Sequence, residues 1–217
     1  MRTLVIGSSG GIGAAILAAS GADAVGLSRR SNGFDLLDEG SIAQAMAGLT
    51  GMFDRILVTT GALELNGAAP EKSLRSLDPA AMAAQFALNA IGPALVLKHA
   101  LRVLPKDRPA RFAALSARVG SIGDNRLGGW HSYRAAKAAL NQLIHTAAIE
   151  IARSHPLAVV VCLHPGTVAT PLTAKYAGSH PSVTTDTAAC NLLAVLDRLT
   201  PADTGGFFDW QGKPIPW

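Results

Sequence analysis

The sequence predicts a doubly wound α/β domain with a mostly parallel sheet of six or seven strands, and three observations carry that prediction. Short apolar runs recur at Thr3–Ile6, Asp23–Leu27, Asp54–Thr60, Arg111–Leu115, Leu157–Leu163 and Gly206–Trp210, and stretches of helical periodicity separate most of them. Several of these runs end in glycine or hydroxyl residues, and open α/β sheets bind ligands along that carboxyl edge. Apolar residues make up 49% and charged residues 16% of the 217-residue chain, a balance that suits strands buried on both faces and excludes a disordered chain. The length fits one domain spanning residues 1–217.

Taken in order, Thr3–Ile6 runs into Gly7-Ser8-Ser9-Gly10-Gly11-Ile12-Gly13 and then the helical Ala14–Ala19. Strand, glycine turn and helix form the context of a phosphate cradle, in which glycine permits close backbone approach and the helix start offers free N–H groups. Gly7, Ser9, Gly11, Ile12 and Gly13 are therefore candidate cofactor contacts; the plain alternative is a tight turn with no ligand. The second strand ends at Ser28-Arg29-Arg30, where an acid would accept a ribose 2′-hydroxyl and arginine would pair with a 2′-phosphate. No acid stands there, so NADP(H) is expected over NAD(H), against the alternative of a solvated basic turn. Only Arg30 to Phe34 separate that turn from Asp35-Leu36, too few residues for a full crossover helix. The third strand is expected to be short or missing, with Asp35 and Leu36 either against the adenine or in an ordinary turn.

Ser41–Leu49 reads as a helix, and the next strand delivers Thr60, Gly61 and Ala62 to the carboxyl edge. Asp78-Pro79 starts a helix that can run to about Leu104. Pro93 has no N–H for the carbonyl of Asn89, which predicts a kink with a free carbonyl at Asn89, within reach of a lysine. After Arg111–Leu115 comes Ser116-Ala117-Arg118-Val119-Gly120-Ser121, where a hydroxyl could bond a reacting oxygen.

Tyr133 and Lys137 lie four apart at the start of an alanine-rich run reaching Ile151, a spacing that puts both on one helix face. An ammonium beside a phenol favours the phenolate, so Tyr133 is expected to exchange protons nearer neutrality than its reference pKa of about 10. Leu157–Leu163 delivers His164, expected to be structural, and Pro165 to Thr170 at the same edge. Thr173–Asp186 reads as a polar segment fit to cover a substrate, with Trp130 and His131 as further pocket residues.

With these residues in view, the chain resembles the short-chain dehydrogenase/reductase family, and most its small C-factor-like branch. Gly7/Gly11/Gly13, Gly61, Asn89, Tyr133/Lys137 and Pro165–Thr170 stand in the family's order and spacing. The resemblance implies a Rossmann-type fold and hydride transfer between a nicotinamide and a small carbonyl or alcohol. It implies Tyr133 as acid/base, Lys137 as the residue that lowers its pKa and holds the nicotinamide ribose, and Asn89 as support for a water relay. Pro165, Gly166, Val168 and Thr170 would face the nicotinamide. Ala117 occupies the position of the usual catalytic serine, which leaves Ser116 or Ser121 as its replacement. That departure keeps open a dinucleotide-binding sensor or signalling protein with little or no turnover.

Other classes are set aside. The formal charge of +4 is modest and its basic residues are dispersed, so no nucleic-acid partner is expected. No segment reads as a signal peptide or membrane span, and Cys162 and Cys190 read as buried thiols without metal-ligand spacing, which together suggest a cytoplasmic protein with no metal. The helices Pro79 to Leu104 and Ser132 to Ile151 carry more apolar surface (Leu140, Leu143, Ile144, Ala147, Ala148 and Ile151 on the second) than one sheet face needs, which predicts a homodimer or homotetramer.

Overall fold

The computed structural model describes residues 1–176 and 181–217. In chain order its elements are β1 (Thr3–Ile6), α1 (Gly11–Ala19), β2 (Val25–Leu27), a four-residue α2 (Arg29–Asn32), α3 (Glu39–Ala47), β3 (Arg55–Val58), α4 (Pro79–Phe86), α5 (Gly92–Ala100), β4 (Ala110–Leu115), α6 (His131–Ile151), β5 (Ala158–His164), α7 (Thr185–Arg198) and β6 (Phe207–Asp209). The strands form one parallel six-stranded sheet in the order β2-β1-β3-β4-β5-β6. The chain moves outward from β1 to β2 and then returns across β1 to β3. That reversal between β1 and β3 is the place where such sheets open a crevice at their carboxyl edge.

Alternation along each strand sorts the core into two layers. Leu4, Ile6, Ile56, Val58, Phe112, Val160 and Phe207 face one layer, with Ile42 and Met46 of α3 and Leu140 and Ile144 of α6. Val5, Leu57, Ala113, Leu115, Val161 and Leu163 face the other, with Ile16 of α1 and Leu192 and Leu196 of α7. Each fully buried side chain of this kind contributes about 1.5 to 3 kcal/mol.

Among the described residues no strand lies between Leu27 and Arg55, the second of the two outcomes, short or missing, that the short connection allows. Ser28 caps α2 by accepting the Ser31 N–H, and Phe34 and Leu36 then turn into the core. Leu36 rests against Gly92, where even a methyl carbon would lie 2.5 Å from its Cγ.

Three expectations are corrected here. The run Pro79–Val103 is long and apolar enough to cross a membrane by length and composition, although none was expected to qualify. In the fold its Val96, Leu97 and Ala100 belong to the core. Of the six α6 residues expected to form a surplus apolar surface, Leu140, Ile144, Ala148 and Ile151 are buried under the sheet, leaving Leu143 as the exposed large one. The 21-residue helix spends most of that face on its own sheet, so its share of the basis for self-association falls away, while Ile91 of the Pro79–Val103 run is exposed. Cys162 is buried but Cys190 is exposed on α7.

Candidate active site

The site is assembled at the carboxyl edge, starting with the turn after β1. Gly7 has φ +90°, and a Cβ on Gly13 would lie 2.3 Å from the Gly7 carbonyl and 2.6 Å from Thr59 Oγ1. Glycine at both positions lets α1 start directly against the ends of β1 and β3. Thr59 seals the junction by donating its hydroxyl to the Ile6 carbonyl at 2.8 Å. Ser9, Gly10 and Gly11 stay exposed at the rim. Gly11 lies beside Thr170, whose methyl would be 3.2 Å from a Cβ there, so the segment after β5 reaches back to the glycine turn.

Asn89 is fully buried on a π-helical turn, Ala87–Ile91, between α4 and α5. The extra residue in that turn is the local answer to Pro93: Gly92 N–H bonds Ala87, five residues back, and the helix continues. The side chain of Asn89 is fully engaged. Its Nδ2 donates to Ala62 O at 2.9 Å and Gln85 Oε1 at 2.6 Å, and its Oδ1 accepts Ala62 N–H at 3.2 Å. Gln85 in turn donates to Leu63 O at 2.9 Å. Gly61 lies under both Asn89 and Lys137, since a Cβ there would meet Asn89 Oδ1 at 3.0 Å and Lys137 Nζ at 3.5 Å.

Tyr133 and Lys137 share a face of α6, with Lys137 Nζ 5.9 Å from the Tyr133 ring centre. The ammonium donates to Leu115 O at 2.8 Å, at the end of β4. Burial pushes Lys137 down to about 8, the nearby Cys162 thiol pulling weakly the other way. Burial also pushes Tyr133 up to about 12. This reverses the expected downward shift of the phenol. The cation is directed at a backbone carbonyl, and exclusion of water disfavours the phenolate.

The start of α6 is held from far away. Trp130 enters it in a left-handed conformation, φ 52°, and offers no side-chain cap. Glu71 supplies one instead: its carboxylate accepts both the hydroxyl and the N–H of Ser132, and its carbonyl accepts Trp130 N–H. Burial alone would raise Glu71, but the bonds from Ser132 outweigh it and hold the carboxyl below its usual range.

Tyr133 opens on a cavity of about 690 Å³ whose wall also includes Lys137, Ser116, Thr60, Gly61 and Val168. Leu63, Leu127, Trp130, Leu172 and Tyr176 give it a mainly apolar surface. Tyr176 packs edge-on against Trp130 at 5.5 Å and donates its hydroxyl to Glu64, which also pairs with Lys175 at 3.0 Å. Three buried polar atoms of this wall have no partner among the described residues: Thr60 Oγ1, Ser116 Oγ and His164 Nδ1. Burial and then the Arg118 cation push His164 down to about 4, with Asp209 pulling it up.

Of the two serines, Ser116 and the neighbouring Ala117 line the cavity, whereas Ser121 is buried outside it with its hydroxyl accepting Asp124 N–H at 3.1 Å. The segment Pro165 to Val168 lines it too, with Gly166 at φ +77° against Trp210 and the Val168 carbonyl accepting the Thr173 hydroxyl. Not every expected residue meets there. Arg29 and Arg30 are exposed on α2, outside the cavity, and Ser28 is used in capping. Asp35 accepts Leu37 N–H and Leu36 faces the core, which matches the turn reading of that pair. His131 is not in the cavity wall, and residues 177–180 of the expected covering segment lie outside the described residues. Among the described residues no cluster suited to a metal occurs.

Glu71 and Gln85 were missed from sequence. Gln85 stands four residues before Asn89 on a predicted helix, a spacing that could have paired them. Glu71 is 61 residues from Ser132 and carried no local signal.

Residues 14–205 match the family model described as enoyl-(acyl carrier protein) reductase. The C-signal protein of Myxococcus xanthus is 35% identical over 145 residues, 67% of this chain and 84% of that protein. A 1-hydroxy-2-glutathionyl-2-methyl-3-butene dehydrogenase of Rhodococcus sp. (strain AD45) is 36% identical over 151 residues, 65% of this chain and 61% of that protein. Among solved structures, a short-chain dehydrogenase/reductase of Burkholderia multivorans with bound NADP superposes with a TM-score of 0.83 at 25% identity, covering 100% of this chain and 99% of the other.

Proposed function

The chain belongs to the short-chain dehydrogenase/reductase family of oxidoreductases, and from that premise we propose that it reduces a small carbonyl compound to its alcohol with NADPH, Tyr133 giving the proton. One observation carries the reading: Tyr133 and Lys137 sit together on α6 and open into a cavity that no side chain of the described residues fills.

The residues fit the cofactor. The exposed Ser9–Gly11 rim, with Gly13 too crowded to carry any side chain, suits a pyrophosphate. Arg29 and Arg30 project at the end of β2 with no acid beside them, which suits a 2′-phosphate and favours NADP(H) over NAD(H). Gly61 leaves room beside Asn89 and Lys137, and the unpartnered Thr60 hydroxyl lies in the same wall. When bound, the cofactor supplies the hydride.

The chain's own groups handle the proton. Tyr133, raised to about 12, is a phenol at neutral pH and so a donor to a carbonyl oxygen that gains charge. Lys137, near 8, exchanges protons in the physiological range and can restore the one that Tyr133 gives up. The amide of Asn89 is held by Ala62 and Gln85, so its part in that relay would fall to its backbone carbonyl, which Pro93 cannot serve with the usual i+4 bond. Ser116 Oγ is buried and unpartnered in the cavity wall, which suits it to bond the substrate oxygen.

A second reading, a dinucleotide-binding signalling protein with little turnover, draws on Ala117 in the cavity wall and on the likeness to C-signal. NADPH oxidation followed with a panel of aldehydes and ketones separates the two. The reductase reading expects turnover with some member of the panel, and a loss of about a hundred- to ten-thousandfold in Tyr133→Phe while NADPH still binds. Turnover by Tyr133→Phe at the wild-type rate, or none by the wild type, overturns it.

A further inference from the structure

The connection between β4 and α6 gives the cavity Arg118, Asp124 and Arg126, and α6 itself adds Arg134, one residue past Tyr133. Asp124 is the one acid in that wall, and it is occupied by Arg118 at 2.8 Å. Among the described residues neither Arg126 nor Arg134 has a carboxylate within 4.0 Å. The undescribed residues 177–180 contain no acid. Arg134 is partly buried, and that burial lowers its pKa. Its Nε donates to Gly129 O at 2.9 Å and one Nη to Val119 O at 3.4 Å. A guanidinium has five N–H donors, so three remain. Arg126 makes a single bond, to the carbonyl of its neighbour Asn125. A cavity lined also by Leu63, Leu127, Trp130, Leu172 and Tyr176 thus holds, besides Lys137, two arginines without a carboxylate partner, Arg126 exposed and Arg134 next in the chain to Tyr133.

Resting on the reductase reading above, we propose that the substrate is an apolar carbonyl compound or alcohol bearing an anionic group, a carboxylate or its like, which Arg126 and Arg134 bind. The planar guanidinium matches a carboxylate by paired charge-assisted bonds, and the mainly apolar wall takes the remainder of the molecule. The cofactor's phosphates are the other anions at this edge. The glycine turn, from which the cavity wall includes only Ile12, and the exposed α2 arginines serve them.

The test uses a matched pair with one carbonyl, 4-formylbenzoate and methyl 4-formylbenzoate, bound to the NADPH-loaded protein and read by tryptophan fluorescence, so that it does not depend on turnover. The acid is expected to bind about tenfold or more tighter than the ester, the preference corresponding to one charge-assisted bond. Arg126→Gln and Arg134→Gln should each reduce that ratio, and salt should weaken the Arg126 share. Arg134 also anchors the loop, whereas Arg126 has no bond beyond its neighbour, so Arg126→Gln remains informative if the other variant misfolds. An ester that binds as well as the acid, an acid that does not bind, or variants that weaken NADPH instead of the acid would each overturn the proposal. Turnover of the same pair is scored separately. Acid binding with no NADPH oxidation by this pair or by any member of the carbonyl panel sinks the reductase reading and leaves the two arginines as an anion-binding site only, whereas oxidation without acid preference sinks this inference alone.

Discussion

At the end of β1 the molecule is closed to a single added carbon, whereas around Tyr133, along the same sheet edge, it encloses about 690 Å³ and leaves three polar atoms unpartnered. The first region is defined by crowding: Gly13 against Gly7, Thr59 across two strands, and helix packed on strand. The second is defined by cost, because an enclosed hydroxyl or imidazole without a partner costs about 1 to 3 kcal/mol. Crowding positions a backbone for any nucleotide. Unpartnered groups in a cavity wall are free to bond whatever enters it, so the first region constrains the backbone and the second leaves chemistry to a ligand.

Three measurements test that contrast. The largest effect is expected at Ser116. If its lone hydroxyl bonds the substrate oxygen, Ser116→Ala should lower kcat by about ten- to a thousandfold, and Ser121→Ala, whose hydroxyl already holds Asp124 N–H, should leave kcat near wild type. The opposite ranking in steady-state assays would mean that the partnered hydroxyl does the chemistry.

His164 comes next. Its folded pKa lies near 4, below the ordinary value of 6.5, so between those pH values the unfolded chain binds a proton that the folded chain refuses. Stability should be unaffected by this group above 6.5 and fall as pH drops to 4, by about 3 kcal/mol. His164→Gln should flatten that part of the urea-unfolding profile. His155, which burial also lowers, acts equally in both proteins, so the difference isolates His164. Parallel profiles would show that His164 is not held neutral.

The smallest effect belongs to the crowded region's rim. Removing Arg29 or Arg30 should weaken NADPH by about tenfold and NADH little, the share of one charge-assisted contact. Titrations in which both cofactors weaken equally would place the 2′-phosphate elsewhere.

The sequence is most legible where local chemistry decides the structure. Glycines at the turn after β1, the Asp78-Pro79 helix start and the five-residue gap that leaves the strand after β2 short or missing could all be read directly. Tyr133 and Lys137 were legible as a pair, yet the direction of the phenol's shift was not, because it depends on how much water three-dimensional packing excludes. The bend at Asn89 was expected from Pro93, but its form, a π turn with the amide clamped by Gln85, depends on Ala62 arriving from another element. The surplus apolar face of α6 was misread because sequence does not show how wide the sheet beneath it is.

The cap on α6 has a consequence for the order in which the molecule assembles. A helix ordinarily begins with a cap from its own neighbourhood and forms in about a microsecond. The Tyr133 turn instead waits for Glu71, so a loop of 61 residues has to close before that end of the helix is secured. The body of α6, packed through Leu140 and Ile144, can form without it. Tyr133 therefore stands on a turn expected to settle late when the chain folds and to fray early when it opens, and with Tyr133 as the proposed proton donor activity should disappear before the fold does.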